Sequence, residues 1–227
     1  MYKENYRNIE LKIATIIHRF IFKAGLAKYF ILFPYAPFRM GIIHRISKRI
    51  TSILDLGCGN GVLGYLIRTK FRNNILVVGL DISIKALYQA KKLNAYDDLI
   101  LADIEHLPFR IKSFDSIISV QVLEHLDRSI AQRILKACED LAKVQILIST
   151  TVGFIDSAVS DNFMTHHSWW LPEDFSAKNY RCRGEVGPRF LPITLAYWLS
   201  FLLPLTYYFP HISYYMNCSK KLNKNEH

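Results

Sequence analysis

The most informative stretch of the chain is residues 50–64, which read Ile-Thr-Ser-Ile-Leu-Asp-Leu-Gly-Cys-Gly-Asn-Gly-Val-Leu-Gly. Its apolar first half predicts the end of a buried parallel strand, and Gly57, Gly59 and Gly61 predict a tight turn into a helix. A turn without Cβ atoms lets a ligand approach the main chain, and the helix beyond it begins with unpaired N–H groups. The stretch therefore predicts a ligand-binding loop with the Asp55 carboxylate beside it.

Two classes of nucleotide-binding protein compete for this loop. Residues 59–64 satisfy G-x-G-x-x-G, the dinucleotide fingerprint, and Asp81 follows at about the spacing that this motif expects. The wider pattern D-x-G-x-G-x-G, which starts at Asp55, resembles motif I of the class I methyltransferases, which bind S-adenosylmethionine. A carboxylate at the turn suits the amino group and sulfonium centre of this cofactor, whereas it would repel a pyrophosphate.

The composition predicts one folded domain. The chain has 227 residues, of which 51% are hydrophobic and 21% charged, so it can bury a full core and is not disordered as a whole. Its cysteines, Cys58, Cys138, Cys182 and Cys218, form no C-x-x-C pair and have no closely spaced histidine partners. We therefore expect reduced, buried thiols in a cytoplasmic protein, and no metal site.

The positive charge lies at the two ends of the chain. Residues 1–50 hold 10 basic and 2 acidic side chains, residues 51–219 hold 16 of each, and residues 220–227 hold 3 and 1. A nucleic-acid-binding face more often runs across the folded domain, so an anionic membrane surface is the favoured partner and nucleic acid is not expected. A solubilising surplus of charge without any partner is an equal alternative.

An acidic residue follows each of three successive predicted strands. Asp55 ends the first, Asp81 follows the strand over 75–80, and Asp103 follows the strand over 99–102. A carboxylate can accept both hydroxyl protons of a ribose, which suits Asp81 to a nucleoside. The methyltransferase resemblance implies that Asp103 accepts from the adenine amino group. Under that resemblance, the cofactor-binding residues are Asp55, Gly57 and Gly59 at the methionine end, Asp81, Ile82, Asp103, Ile104 and Gln121.

The similarity to class I methyltransferases continues from residue 50 to residue 126. The run Val122-Leu-Glu-His-Leu126 resembles the segment common in methyltransferases that act on quinones and other small molecules. A predicted helix over 129–142 and a strand over 144–149 continue the alternation of strands and helices. The resemblance implies an α/β fold with a doubly wound, mostly parallel sheet, an N-terminal helical lid over residues 1–49, and the cofactor-binding domain over residues 50–227.

Histidines and tryptophans are concentrated in residues 164–175. Residues 166–175 resemble the pattern H-x-S-x-W-x-x-x-D-F found in some enzymes of this fold. His166 or His167 would act as a general base there, and Trp169 or Trp170 would form a wall of the acceptor site. The candidates on the acceptor side are His125, His166 and Trp169, and a structural role for each of them is the alternative.

Two apolar segments lie towards the ends of the chain. Residues 9–33 combine helical apolar spacing with basic residues, and residues 190–219 contain no Lys, Arg, Asp or Glu. Both segments favour peripheral membrane contact, through residues 9–33 and 190–216, with the apolar segment proper over 190–211. The alternative is that the second segment packs on the domain and that residues 214–220 form the last, antiparallel strand of the sheet.

The predicted function is methyl transfer from S-adenosylmethionine to a small, hydrophobic acceptor, such as a quinone or a lipid precursor, by in-line displacement. No metal is required, because the sulfonium already activates the methyl group. One alternative is an NAD(P)-dependent oxidoreductase, which would leave Asp103 without a role. Another is a membrane-associated module that keeps the fold without catalysis.

Overall fold

The computed structural model describes residues 36–71, 74–153, 165–188 and 205–222. The strands are β1 (Ser52–Leu56), β2 (Leu76–Asp81), β3 (Asp98–Leu101), β4 (Phe114–Val120), β5 (Ala142–Thr151), β6 (Arg181–Pro188) and β7 (Ser213–Lys221). The α-helices are α1 (Ala36–Arg45), α2 (Val62–Phe71), α3 (Ile84–Lys92), α4 (Arg128–Leu141), α5 (Pro172–Ser176) and α6 (Leu205–Tyr208), and Leu123–His125 and Pro210–Ile212 form 3₁₀ turns.

The strands form one seven-stranded sheet in the order β3-β2-β1-β4-β5-β7-β6. Strands β1 to β5 pair in parallel, and β7 is antiparallel to both of its neighbours. Strand order reverses between β1 and β4, which is the point where sheets of this type bind ligands at their carboxyl edge. The predicted doubly wound, mostly parallel fold is thus confirmed.

Two buried clusters cover the two faces of the sheet. On β1, Leu54 and Leu56 belong to the first cluster and Ile53 to the second, as the alternation of a strand requires. Helix α4 packs in the first cluster, and helices α1 and α2 pack in the second. Burial on both faces explains why the central strands are nearly continuous apolar runs.

The predicted N-terminal lid falls partly on described residues. Residues 1–35 lie outside them, and residues 37–227 form one compact unit. Within that unit, Ile42, Ile43 and Ile46 are buried in the second cluster. Helix α1 therefore contributes to the core of the domain, and the lid stays a prediction for residues 1–35.

The expectation of four reduced thiols is wrong for two of them. Cys182 and Cys218 lie directly opposite each other on β6 and β7, with Cα atoms 4.1 Å apart, and they form a disulfide. Cys58 and Cys138 are free and buried, as predicted. The sequence does not indicate this pair, because the two cysteines are 36 positions apart and only the pairing of the strands brings them together.

The last, antiparallel strand, which is the alternative prediction for residues 214–220, is present as β7. It lies between β5 and β6 and buries Ser213 and Met216 completely, so residues 213–216 belong to the sheet, and membrane contact through them stays a prediction. Residues 189–204, which hold most of the apolar segment, lie outside the described residues. Among the helices that are described, none has the length and apolar character needed to cross a bilayer.

Candidate functional site

The loop over residues 57–61, which follows β1 and is called the glycine loop below, is fixed by hydrogen bonds from its backbone to strand β2. The N–H groups of Gly57 and Cys58 donate to the Leu80 carbonyl at 2.8 and 3.0 Å. The Gly59 N–H donates to Asp81 Oδ2 at 2.8 Å, and the Ser83 N–H donates to Oδ1 of the same carboxylate at 2.8 Å. Asp81 therefore joins the loop after β1 to the start of α3.

Gly57 and Gly59 are needed for different reasons, although both have positive φ, +72° and +53°. A Cβ on Gly57 would lie 2.3 Å from Cγ2 of Val122, which places the loop after β4 directly against the glycine loop. A Cβ on Gly59 would meet no atom within 4 Å. The backbone at Gly59 thus borders open space, as a residue against a ligand must.

Asp55 is buried beneath the loop, with 1% of its surface exposed. Its Oδ2 accepts a hydrogen bond from the Tyr96 hydroxyl at 2.7 Å, and the Tyr96 oxygen accepts one from the Gly64 N–H at 3.1 Å. Burial, with the Asp55 charge as the next cause, raises the pKa of Tyr96 well above its usual value. This chain of bonds connects β1 to the first turn of α2, so Asp55 supports the loop as well as charging it.

The other predicted cofactor residues lie along the same edge. Asp81 ends β2, and Asp103 lies two residues beyond β3, where its Oδ1 accepts from the Glu105 N–H at 2.9 Å. Ile82 is more than half exposed, at 52%, whereas Ile104 packs in the first cluster. Neighbouring parallel strands bring Asp55, Asp81 and Asp103 to one edge, as the sequence predicts, and their contacts to a cofactor stay predictions.

Gln121 turns the chain out of β4. It has a φ of +57°, a conformation that costs a non-glycine residue about 1 kcal/mol. Its N–H still donates to the Ser149 carbonyl at 2.9 Å, as a continuation of the β4–β5 pairing. The turn directs Val122 towards Gly57 and begins the 3₁₀ turn at Leu123–His125.

That turn brings together three side chains with metal-binding or proton-transfer chemistry. One donor atom from each of Glu124, His125 and His166 lies within 4.8 Å of the others. The rings of His125 and His166 are 5.1 Å apart between centroids. Glu124 is completely buried, its Oε2 accepts from the Thr150 hydroxyl at 2.9 Å, and its Oε1 makes no hydrogen bond. The structure thus joins two of the three predicted acceptor-side residues.

Burial shifts the titration of this cluster. It raises the pKa of Glu124 to about 7, against the effect of its hydrogen bonds, which include the one from Thr150. It lowers the pKa of His125, an effect that the nearby His166 and His167 reinforce and the Thr165 carbonyl opposes. Both shifts favour the uncharged form of the group.

The remaining residues of the H-x-S-x-W-x-x-x-D-F pattern position the segment. The His167 and Ser168 N–H groups donate to the Glu124 carbonyl at 2.8 and 3.1 Å. The Ser168 hydroxyl donates to the Leu123 carbonyl at 2.9 Å and accepts from the Trp170 indole at 3.0 Å. Trp170 is completely buried. These contacts hold His166 beside His125.

Trp169, unlike its buried neighbour Trp170, has an exposed side chain. Its side chain is 55% exposed, and its carbonyl accepts a hydrogen bond from Arg128, which also pairs with Asp174. Asp174 Oδ2 accepts from the Leu171 N–H at 2.8 Å and so caps α5. The role of the Trp169 indole as a wall of the acceptor site stays a prediction.

Two residues of the site were missed in the sequence. Tyr96 has no motif, and its role depends on a contact with Asp55 that spans 41 positions. The sequence identifies Glu124 only as a member of residues 122–126, which resemble a segment common in methyltransferases. The one available signal is a carboxylate within the apolar run Val122-Leu-Glu-His-Leu126, because a charged side chain is rarely buried among apolar residues unless it is paired or functional.

Comparison with known proteins identifies relatives. The profile of a family described as "Methyltransferase domain" matches residues 47–185. An uncharacterized protein of Methanocaldococcus jannaschii is 29% identical over 147 residues, so the match spans 64% of this chain and 62% of that protein. A ubiquinone biosynthesis O-methyltransferase of Glaesserella parasuis is 23% identical over 72% of this chain and 80% of its own length. The plantazolicin methyltransferase in complex with SAH shares the fold, with a TM-score of 0.55 and 17% identity over 84% of each chain.

Proposed function

Because the chain belongs to the class I, S-adenosylmethionine-dependent methyltransferases, we propose that it transfers a methyl group from S-adenosylmethionine to a small, hydrophobic acceptor. The observation that carries the proposal is the carboxyl edge of the sheet. There the open backbone at Gly59 is hydrogen-bonded to Asp81, and the loop after β4 brings His125 to the same edge, with His166 of the segment after β5 beside it. This edge would thus bind the cofactor next to groups that can bind an acceptor.

The residues present suit this cofactor. A carboxylate has about four acceptor sites, and Asp81 uses one on each oxygen for Gly59 and Ser83, so it can also accept the ribose hydroxyls. Asp103 would bind the adenine amino group, with Ile82 and Ile104 against the ring. Gly57 and Gly59 would face the methionine end, and the buried Asp55 would provide negative charge for its amino group.

The chain's part in the reaction is alignment and proton removal. When bound, S-adenosylmethionine supplies an activated methyl group on a sulfonium sulfur. The acceptor must lie in line with the carbon–sulfur bond, shielded from water. If the acceptor is a hydroxyl, His125 or His166 would take its proton, since burial keeps His125 in the neutral, basic form.

A hydrophobic acceptor is favoured by two exposed apolar side chains in the segment that carries His166. Trp169 and Leu171 are 55% and 42% exposed although they flank the buried Trp170. The curated relative acts in ubiquinone biosynthesis, which gives a quinone-like acceptor as the first to test. Residues 9–33 and 190–211, by composition, would bring such an acceptor from a membrane surface.

The alternative oxidoreductase has little support at this edge. Its catalytic Tyr-x-x-x-Lys spacing occurs in the sequence only at Tyr88 and Lys92. Tyr88 is 64% exposed on α3, and the Lys92 ammonium lies over its ring at 4.6 Å. Lys92 is the last residue of α3, and the C-terminus of a crossover helix points away from the carboxyl edge of the sheet.

Transfer of a tritiated methyl group tests the proposal. The protein is incubated with labelled S-adenosylmethionine and separate lipid, protein and RNA fractions of a cell extract. We expect label in the organic-solvent phase of the lipid fraction, lost in Asp81→Asn and kept in Asp140→Asn, an exposed control at the other end of the sheet. Label in protein or RNA would contradict the proposed acceptor, and no transfer to any fraction would contradict methyl transfer.

A further inference from the structure

The core packing of the fold does not explain the cluster of Glu124, His125 and His166. Glu124 is completely buried, yet its Oε1 makes no hydrogen bond, and no ion pair of the described residues includes it. A buried acceptor without a partner costs about 1 to 3 kcal/mol, so its retention needs an explanation. One donor atom of each imidazole lies within 4.8 Å of a carboxylate oxygen of Glu124.

We propose that Glu124, His125 and His166 bind a divalent transition-metal ion. Two imidazole nitrogens and one carboxylate oxygen form a donor set typical of Zn²⁺, Fe²⁺, Co²⁺ or Mn²⁺, and three protein ligands leave coordination positions open. Ligand bonds of about 2.0 to 2.2 Å place the donor atoms about 3 to 4 Å from each other. The three donor atoms lie within 4.8 Å of one another, and small side-chain rotations of the two partly exposed histidines would bring them to this spacing.

Hydrogen bonds around the cluster orient two of its side chains, those of His125 and Glu124, as metal ligands. His125 Nδ1 lies 3.2 Å from the Thr165 carbonyl. Since a carbonyl only accepts, this bond places the proton on Nδ1 and leaves the lone pair of Nε2 for a metal. A backbone carbonyl that orients a ligating histidine in this way is a common feature of metal sites. The Thr150 hydroxyl orients Glu124 in the same manner.

The position of the site gives the cation a role. Val122, two residues before Glu124, lies against Gly57 of the glycine loop, so the cluster lies next to the cofactor cradle. A cation there would bind a hydroxyl oxygen of the acceptor and lower the pKa of that hydroxyl. The cation would thereby promote loss of the proton in place of the imidazoles, because an imidazole that ligates a metal cannot act as a base. Only this role rests on the proposed function; the binding site does not.

Titration of the 227-residue chain with Co²⁺, without a tag and without any cofactor, tests the proposal. Visible absorption reports the coordination of the ion, and mass spectrometry of dialysed samples with Zn²⁺ gives the stoichiometry. We expect one ion per chain. Loss of a ligand costs at least as much as loss of an orienting partner, so Glu124→Gln and His166→Asn should each weaken binding by about 100-fold.

His167→Asn is the matched control, because the His167 side chain is exposed and is not one of the three proposed ligands. We expect it to bind Co²⁺ as the wild type does. Glu124→Gln keeps the size of the side chain and an acceptor for Thr150, and His166→Asn gives an independent test if the first variant does not fold. A wild type that binds no ion, or variants that bind as well as the wild type, would overturn the proposal. Since S-adenosylhomocysteine is absent, failure of the cofactor site leaves this result unchanged.

Discussion

Alanine substitution at Gly57 and at Gly59 should separate stability from ligand binding. Both residues have positive φ, which costs alanine about 1 kcal/mol. At Gly57 the new methyl group would lie 2.3 Å from Val122 Cγ2, and such overpacking adds about 1 to 3 kcal/mol. At Gly59 no atom lies within 4 Å, so only the backbone cost applies. We expect losses of about 2 to 4 kcal/mol for Gly57→Ala and about 1 kcal/mol for Gly59→Ala.

Ligand affinity should follow the opposite order when it is corrected for unfolded protein. The methyl group of Gly59→Ala occupies the space predicted for the cofactor, so affinity for S-adenosylhomocysteine should fall by about tenfold or more. Urea unfolding gives the stability of each variant, and calorimetric titration gives the affinity.

Val122→Ala removes the atom that would clash with Gly57→Ala, so the double variant should regain the overpacking part and show a coupling energy of about 1 to 3 kcal/mol. Equal destabilisation at the two glycines, or unchanged affinity in Gly59→Ala, would refute the reasoning.

Two further predictions concern stability. Burial, opposed by Arg45, raises the pKa of Glu185 from 4.5 to about 7, so its contribution is fully present below pH 4.5 and is lost as the pH rises through about 7. Glu185→Gln should abolish a loss of roughly 3 kcal/mol between about pH 5 and pH 8 in urea unfolding, and an unchanged pH profile would contradict this. Reduction of the Cys182–Cys218 disulfide should cost roughly 2 to 4 kcal/mol, because it frees a loop of 36 residues in the unfolded chain. Dithiothreitol should lower the denaturation midpoint of the wild type but not of Cys182→Ser, and equal effects on both would count against the bond.

The sequence allowed the parallel half of the sheet to be predicted because its signals are local. The strand predicted over 75–80 is Leu76–Asp81. Helix α3 follows it, with Ser83 as the N-cap whose hydroxyl accepts from the Ala86 N–H at 3.2 Å. The helix predicted over 129–142 is Arg128–Leu141. Apolar runs, caps and glycine turns determine such elements within a few residues.

The contacts that could not be predicted join distant residues. Strand β6 has no apolar alternation, since it reads Arg-Cys-Arg-Gly-Glu-Val-Gly-Pro, and it depends on pairing with β7. The partnership of Glu124 with His166 spans 42 positions and needs both the 3₁₀ turn after β4 and the buried anchor Trp170. The expectation of no metal site rests on spacing along the chain and stays untested, because spacing does not register residues that only tertiary contacts bring together.

Calorimetric titration with S-adenosylhomocysteine, in parallel with NADH, tests the central claim most directly. We expect the wild type to bind S-adenosylhomocysteine and not NADH. Asp81→Asn removes the charged acceptor and one of the bonds to Gly59 and Ser83, so affinity should fall about 10- to 100-fold, while the exposed control Asp140→Asn should bind as the wild type does. Binding of NADH alone, or of neither ligand, would contradict the account.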